Sequence, residues 1–281
     1  MLFNVLASLL ATSTAVEAQY PGNAPSASYT LPNKPANGWE TVSSKFWFDP
    51  NSIRASGYYA AAQWWFSDNT DVFYFGLQPM GKNDSMANLG QNGLAIFSCF
   101  GKGVNVVDSE LCYGSADGGD GVSCRLNVNL DFGHWYEIIA SLVDIDATGR
   151  RTWNGTLVDD QGTPTHIGSW STDPSFGAIK GDVAQWFEFY SFNGQEAIPY
   201  SQKECQFYTS VHFGLPTGYP HGPSGPAVQA GPHTGVGKLI IGDKCAVAAN
   251  TPNQKESFGA DGSVTITGGF LPGSNDNVPL P

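Results

Sequence analysis

The sequence predicts an all-β, single-domain antiparallel sandwich of the jelly-roll or concanavalin-like kind. Three observations predict it. Gly, Trp, Tyr, Phe, Ser and Thr are abundant while Leu, Lys and Glu are scarce, which suits pleated strands and tight turns better than helices. No segment carries an apolar stripe of period 3.6 over three or more turns. Short alternating runs recur instead from Lys45 onward, with Gly, Asn and Asp between them.

Residues 1–18 read as an export signal. Leu2 to Val16 form an apolar, uncharged run, and Ala15-Val16-Glu17-Ala18 supplies the small residues of a cleavage site. The run is too short to span a bilayer as a helix. The expected product begins at Gln19 and is secreted and extracellular, with no membrane partner. Residues 19–44 are rich in Pro, Ser, Asn and Ala without periodicity, and read as an extended N-terminal arm that drapes over the body. Residues 45–281 form the sandwich, and a product of about 260 residues fits one hydrophobic core.

Strands are predicted over Lys45–Phe48, Tyr58–Phe66, Asp71–Gln78, Gly93–Phe100, Ser123–Val128, Trp135–Asp144, Thr152–Asp159, His166–Trp170, Gln185–Phe192, Val211–Phe213, Lys238–Ile241 and Ser263–Gly268. Alternation assigns their faces. Phe73, Phe75 and Leu77 belong in the core; Tyr74, Gly76 and Gln78 emerge opposite, with the glycine leaving a gap for close approach. Trp153 points inward while Thr152, Asn154 and Thr156 point out. Phe187 and Phe189 share one face, and Trp186, Glu188 and Tyr190 the other. Leu215–Pro232, with five prolines, is a long irregular connection.

Acidic residues outnumber basic ones 25 to 13, and no Lys/Arg cluster exists to contact phosphates, so nucleic acid is excluded as a partner. The acidity serves solubility, and the chain is expected to be a monomer. Five cysteines in an oxidising compartment leave at least one unpaired. The expected bridges are Cys205–Cys245 and a second drawn from Cys99, Cys112 and Cys124; Cys112–Cys124 would close a Gly-rich loop and leave Cys99 as a buried thiol. No Cys-x-x-Cys or adjacent His pair offers a metal site. Two glycosylation sequons stand at Asn83 and Asn154.

The strip Trp186-x-Glu188-x-Tyr190 is the candidate site. Pyranose rings stack their C–H faces on Trp and Tyr, and a carboxylate between two aromatics accepts hydroxyl hydrogen bonds. Tyr74 and Gln78 extend the substrate-binding face. The same surroundings would raise the pKa of Glu188 toward use as a general acid. The plainer alternative makes Trp186 and Tyr190 a second core layer with Glu188 in an ion pair. Glycoside cleavage needs a second carboxylate; Glu137 sits on a strand with Trp135 and Ile139, and Asp117 and Asp120 lie on the Asp-Gly loop. That loop, or Asp144-x-Asp146-x-Thr148-Gly149, could ligate calcium, though a hairpin turn explains the latter. No other cofactor is expected. Gly-x-Ser-x-Gly is absent, and the five His residues fall in turns or at strand ends, as structural residues do.

The runs Tyr74-Phe75-Gly76-Leu77-Gln78, Ile96-Phe97-Ser98, Gly133-His134-Trp135-Tyr136 and Trp153-Asn154-Gly155-Thr156 together resemble the secreted family catalogued as domain of unknown function 3472. The likeness runs from Trp47 to Trp170 and continues loosely to Tyr190. This chain departs from it with Phe100 in place of a Trp, and with Asp117 where a Glu-Gly element would supply a Glu. The resemblance implies a lectin-like sandwich and no particular reaction. Three functions follow: binding of extracellular polysaccharide or glycan on an aromatic-lined concave face; a carbohydrate-active hydrolase or lyase using Glu188; or a secreted structural or host-interaction protein without catalysis.

Overall fold

The computed structural model describes residues 24–68, 70–81, 91–190, 208–220, 222, 225–230 and 255–268. The export signal, Asn83, Cys205, Cys245 and the strand predicted over 238–241 lie outside the described residues. The strands in chain order are β1 (Ser26–Thr30), β2 (Thr41–Phe48), β3 (Tyr58–Phe66), β4 (Val72–Pro79), β5 (Gly93–Phe100), β6 (Val104–Val106), β7 (Cys112–Tyr113), β8 (Gly121–Val128), β9 (Trp135–Ile145), β10 (Arg151–Val158), β11 (Pro164–Thr172), β12 (Ile179–Phe189), β13 (Thr209–Phe213), β14 (Thr217–Tyr219), β15 (Val228–Gln229), β16 (Lys255–Phe258) and β17 (Val264–Gly268). No described helix is long and apolar enough to cross a membrane.

All pairings between these strands are antiparallel, in two sheets. The front sheet has seven strands in the order β1-β12-β3-β4-β5-β8-β7. The back sheet has ten, eight of them in the order β16-β17-β13-β2-β9-β10-β11-β6, with β14 and β15 attached beside β2. The all-β antiparallel sandwich expected from alternation is the observed fold.

The strands form where every second residue is apolar, and the two inner faces meet in one core. Phe73, Phe75 and Leu77 of β4 are fully buried there, as are Trp153 and Trp170 of the back sheet. Phe97 lies 4.7 Å from Trp170, and Phe66 meets Phe176 edge-on at 5.2 Å. So dense a layer of rings requires small residues opposite. A Cβ on Gly155 would stand 2.5 Å from the Phe97 ring. Gly168, at φ 147°, faces the Cys112–Cys124 disulfide, whose sulfurs a Cβ would meet at 2.5 and 2.8 Å. Cys99 is a buried thiol.

Part of the arm expected over residues 19–44 joins the sandwich. Ser26–Thr30 pairs along β12, Trp39 is buried in the core, and β2 begins at Thr41. β12 begins at Ile179 rather than Gln185, because Gly181-Asp182, which resembles a turn in sequence, is an irregularity within the strand. Asp146 closes the β9–β10 hairpin, its Oδ1 accepting hydrogen bonds from Thr148 N, Thr148 Oγ1 and Arg150 N. Asn154 is half-buried on the outer face, its Oδ1 accepting from Ser169 Oγ at 2.8 Å.

Two turns at one end of the back sheet are tied by His134 and Asp160. Their hydrogen bond holds the imidazole above its ordinary 6.5 and the carboxyl below its ordinary 3.8. The raised His contributes fully below 6.5 and loses its contribution as pH rises through its folded value. The depressed Asp contributes above 3.8 and loses its contribution as pH falls through its folded value. The gap in urea midpoint between wild type and His134→Gln is therefore widest between those two values and narrows on either side. In the core, Trp170→Ala is expected to cost about 3–5 kcal/mol in the same urea titration.

Candidate ligand-binding face

The register of the front sheet lays out its outer face. Trp186 of β12 stands opposite Ala61 of β3, and Ala61 opposite Gly76 of β4. One step along, Glu188 faces Tyr59; one step the other way, Ala184 faces Gln63, which faces Tyr74, then Ser98 of β5 and Ser123 of β8. Trp186, Glu188 and Tyr190 thus emerge on one surface with Tyr74 and Gln78, as their spacing predicts.

The surface differs from the expected aromatic platform at its centre. Trp186 is only 3% exposed and packs with Tyr59, Tyr74, Ala61, Ile96 and Ala24 as a small second core. Its indole lies edge-on to Tyr59 at 6.1 Å and to Tyr74 at 5.8 Å, so it offers no open face to a sugar. The cause is the neighbouring strands, whose large aromatics close over it. The gap expected at Gly76 is likewise filled. A Cβ there would come within 2.2 Å of the Ala60 carbonyl and 2.8 Å of the Ala61 side chain, so the glycine admits the adjacent strand and not a ligand. Glu188 is half-buried, and Tyr190, just past β12, is 36% exposed.

Polar groups converge around this cluster. The Tyr74 hydroxyl donates to Asp117 Oδ2 at 2.8 Å. Asp117 reaches it from the loop between β7 and β8, where its φ of 47° is a left-handed conformation unusual for a residue with a side chain. The disulfide pins β7 to β8 directly before that loop. Ser98 Oγ donates to Ser123 Oγ at 2.8 Å, and the Arg125 guanidinium lies 5.1 Å from the Tyr113 ring. The Tyr59 hydroxyl and Gln63 Nε2 are buried and have no hydrogen-bond partner among the described residues. So is the Trp186 indole N–H, but core indoles such as Trp64 and Trp170 share that condition, so it distinguishes nothing.

Burial raises the pKa of Tyr59 and Tyr74 well above the usual phenol range, and the charges of Asp117 and Glu188 raise both further. Both tyrosines are therefore neutral donors at any ordinary pH, set beside two carboxylates that accept. Perturbed groups gathered in one place mark a functional site better than any one residue does. Tyr59 and Gln63 escaped sequence reasoning although the bounds of their strand were legible, because which strands flank it was not. Among the described residues no group of three or more His, Cys, Asp or Glu side chains is placed to hold a metal ion; Asp117 and Asp146, from the two loops considered for calcium, accept hydrogen bonds from Tyr74 and Thr148.

No family model matches the chain, and no curated protein matches it. The solved structures that resemble the chain include two peptidases. One is the crystal structure of Scytalido-glutamic peptidase with a peptide-based transition-state analog, at TM-score 0.41 and 12% identity over 87% of this chain and 96% of that one. The other is SCP-B, a member of the Eqolisin family of peptidases, in complex with the tripeptide Ala-Ile-His, at TM-score 0.40 and 12% identity over 88% and 98%. Likeness at this level assigns neither family nor activity to this chain.

The two tyrosines separate in stability. Tyr59→Phe removes a hydroxyl without a partner and is expected to change unfolding free energy by less than about 1 kcal/mol, or to raise it. Tyr74→Phe breaks the hydrogen bond to Asp117, whose exposed carboxylate takes water instead, and is expected to cost about 1 kcal/mol. Urea denaturation of both variants reads the difference.

Proposed function

We propose that this is a secreted protein that binds extracellular glycan on the outer face of its front sheet, through hydrogen bonds around Glu188 and stacking on Tyr190. The observation that carries the reading is the convergence on that face of acceptors, Glu188 and Asp117, with donors, Tyr59 and Gln63, two of which are buried without a partner. Exposed Asp117 and Tyr190 and half-buried Glu188 are the members that a ligand would reach, with Tyr59 and Gln63 buried beneath them. A sugar, with hydroxyls that both donate and accept, matches so mixed a set. The cysteine bridge is at home in an oxidising compartment.

A second reading is hydrolysis on the same face. The observation favouring it is that Glu188 and Asp117 act on the same two tyrosines, so both carboxylates border one patch. One would protonate the leaving oxygen and the other would activate water or attack.

Glycan-array binding followed by titration calorimetry tests the first reading. Glu188→Gln loses a charge-assisted hydrogen bond and is expected to weaken binding about 10- to 100-fold, with Tyr190→Ala weakening it less. Absence of any glycan ligand, or an unchanged affinity in both variants, refutes it. Release of reducing ends that is lost in both Glu188→Gln and Asp117→Asn would establish the second reading instead.

A further inference from the structure

On the outer face of the back sheet, Trp135 of β9 stands opposite Trp47 of β2, Trp47 opposite His212 of β13, and His212 opposite Thr265 of β17. β9 and β13 flank β2 and do not pair with each other. Yet the Trp135 ring lies 5.3 Å from the His212 ring. The two rings therefore meet across β2, and the indole is 39% exposed.

Its neighbours fix it there. His212 meets it edge-on at 86° and is held by Thr265 through Nδ1 at 3.0 Å. Gly214 lies beside it, where a Cβ would be in ordinary contact with Trp135 Cζ3 at 3.7 Å and press on Lys45 Cβ at 3.0 Å. One step along the strands, Glu137 accepts a hydrogen bond from Ser43 Oγ at 2.5 Å and lies 3.7 Å from Lys45 Nζ. A braced, half-exposed indole beside paired hydrogen-bonding side chains loses little side-chain freedom on binding.

We infer that the Trp135–Trp47–His212 row is a stacking platform for a neutral polysaccharide chain. The exposed indole takes the apolar C–H face of a sugar ring, and Glu137, Lys45 and Thr265 take its hydroxyls. Lys45 and Glu137, one step along the strands, offset each other's charge. The net charge of −12 opposes anionic polymers and membranes. One row of aromatics is too small for a protein partner, which needs about 800 Å² on each side. The platform and the Glu188 face are on the outer sides of opposite sheets, so the two act independently.

Co-sedimentation of the full chain with microcrystalline cellulose, chitin and β-1,3-glucan particles tests it. The protein is expected to co-sediment with at least one, Trp135→Ala to lower the bound fraction about tenfold, and Trp135→Phe, which keeps an aromatic face, to retain most of it. Absence of co-sedimentation, wild-type binding in Trp135→Ala, or an equal loss in Trp135→Phe overturns the inference. Loss confined to Glu188→Gln supports the front face and overturns this one.

Discussion

The fold depends on the closure of two inner faces that carry large rings. Sheets pack about 10 Å apart, and Phe66, Phe73, Phe97, Trp153 and Trp170 cannot share that layer unless residues across from them give way. Gly155 and Gly168 give way on the back sheet, and Ala60 and Ala62 do so within β3. These small residues decide which strands lie against which, and hence which side chains are left on the outer faces. The location of the candidate site follows from the location of the glycines.

The outer face of the front sheet is then a compromise. Aromatics on neighbouring strands build a second, smaller core around Trp186. That core excludes water from the Tyr59 hydroxyl and the Gln63 amide while keeping Glu188 at its border. A face meant only to be wet would carry Thr, Ser and Lys, as β10 and β16 largely do. Burying unpaired donors there weakens the fold locally in exchange for polarity at fixed positions, which is a property of binding surfaces.

Strand alternation made most of this architecture legible. Tyr58–Phe66 and Gly93–Phe100 were readable to the residue, because each is bounded by turn formers and crowded with β-branched or aromatic side chains. The short strands β6, β7, β14 and β15 were not, since two or three residues cannot show a period. Parity correctly put Trp186, Glu188 and Tyr190 on one surface, but it could not reveal that Tyr59 and Tyr74 flank the indole and seal it. The Trp47, Trp135 and His212 row was hidden for the same reason: its members sit on three strands far apart in sequence. Face is a local property, whereas neighbourhood is set by long-range pairing.

The disulfide has a consequence for how the protein meets thiols. Cys124 is fully enclosed and Cys112 nearly so, and the bare backbone of Gly168 presses on both sulfurs from the opposite sheet. An attacking thiolate must reach a sulfur in line with the bond it breaks, and both cysteines are buried between the layers. Thiol exchange with small reductants therefore has to wait for the layers to part, which makes this crosslink as durable as the sandwich that encloses it.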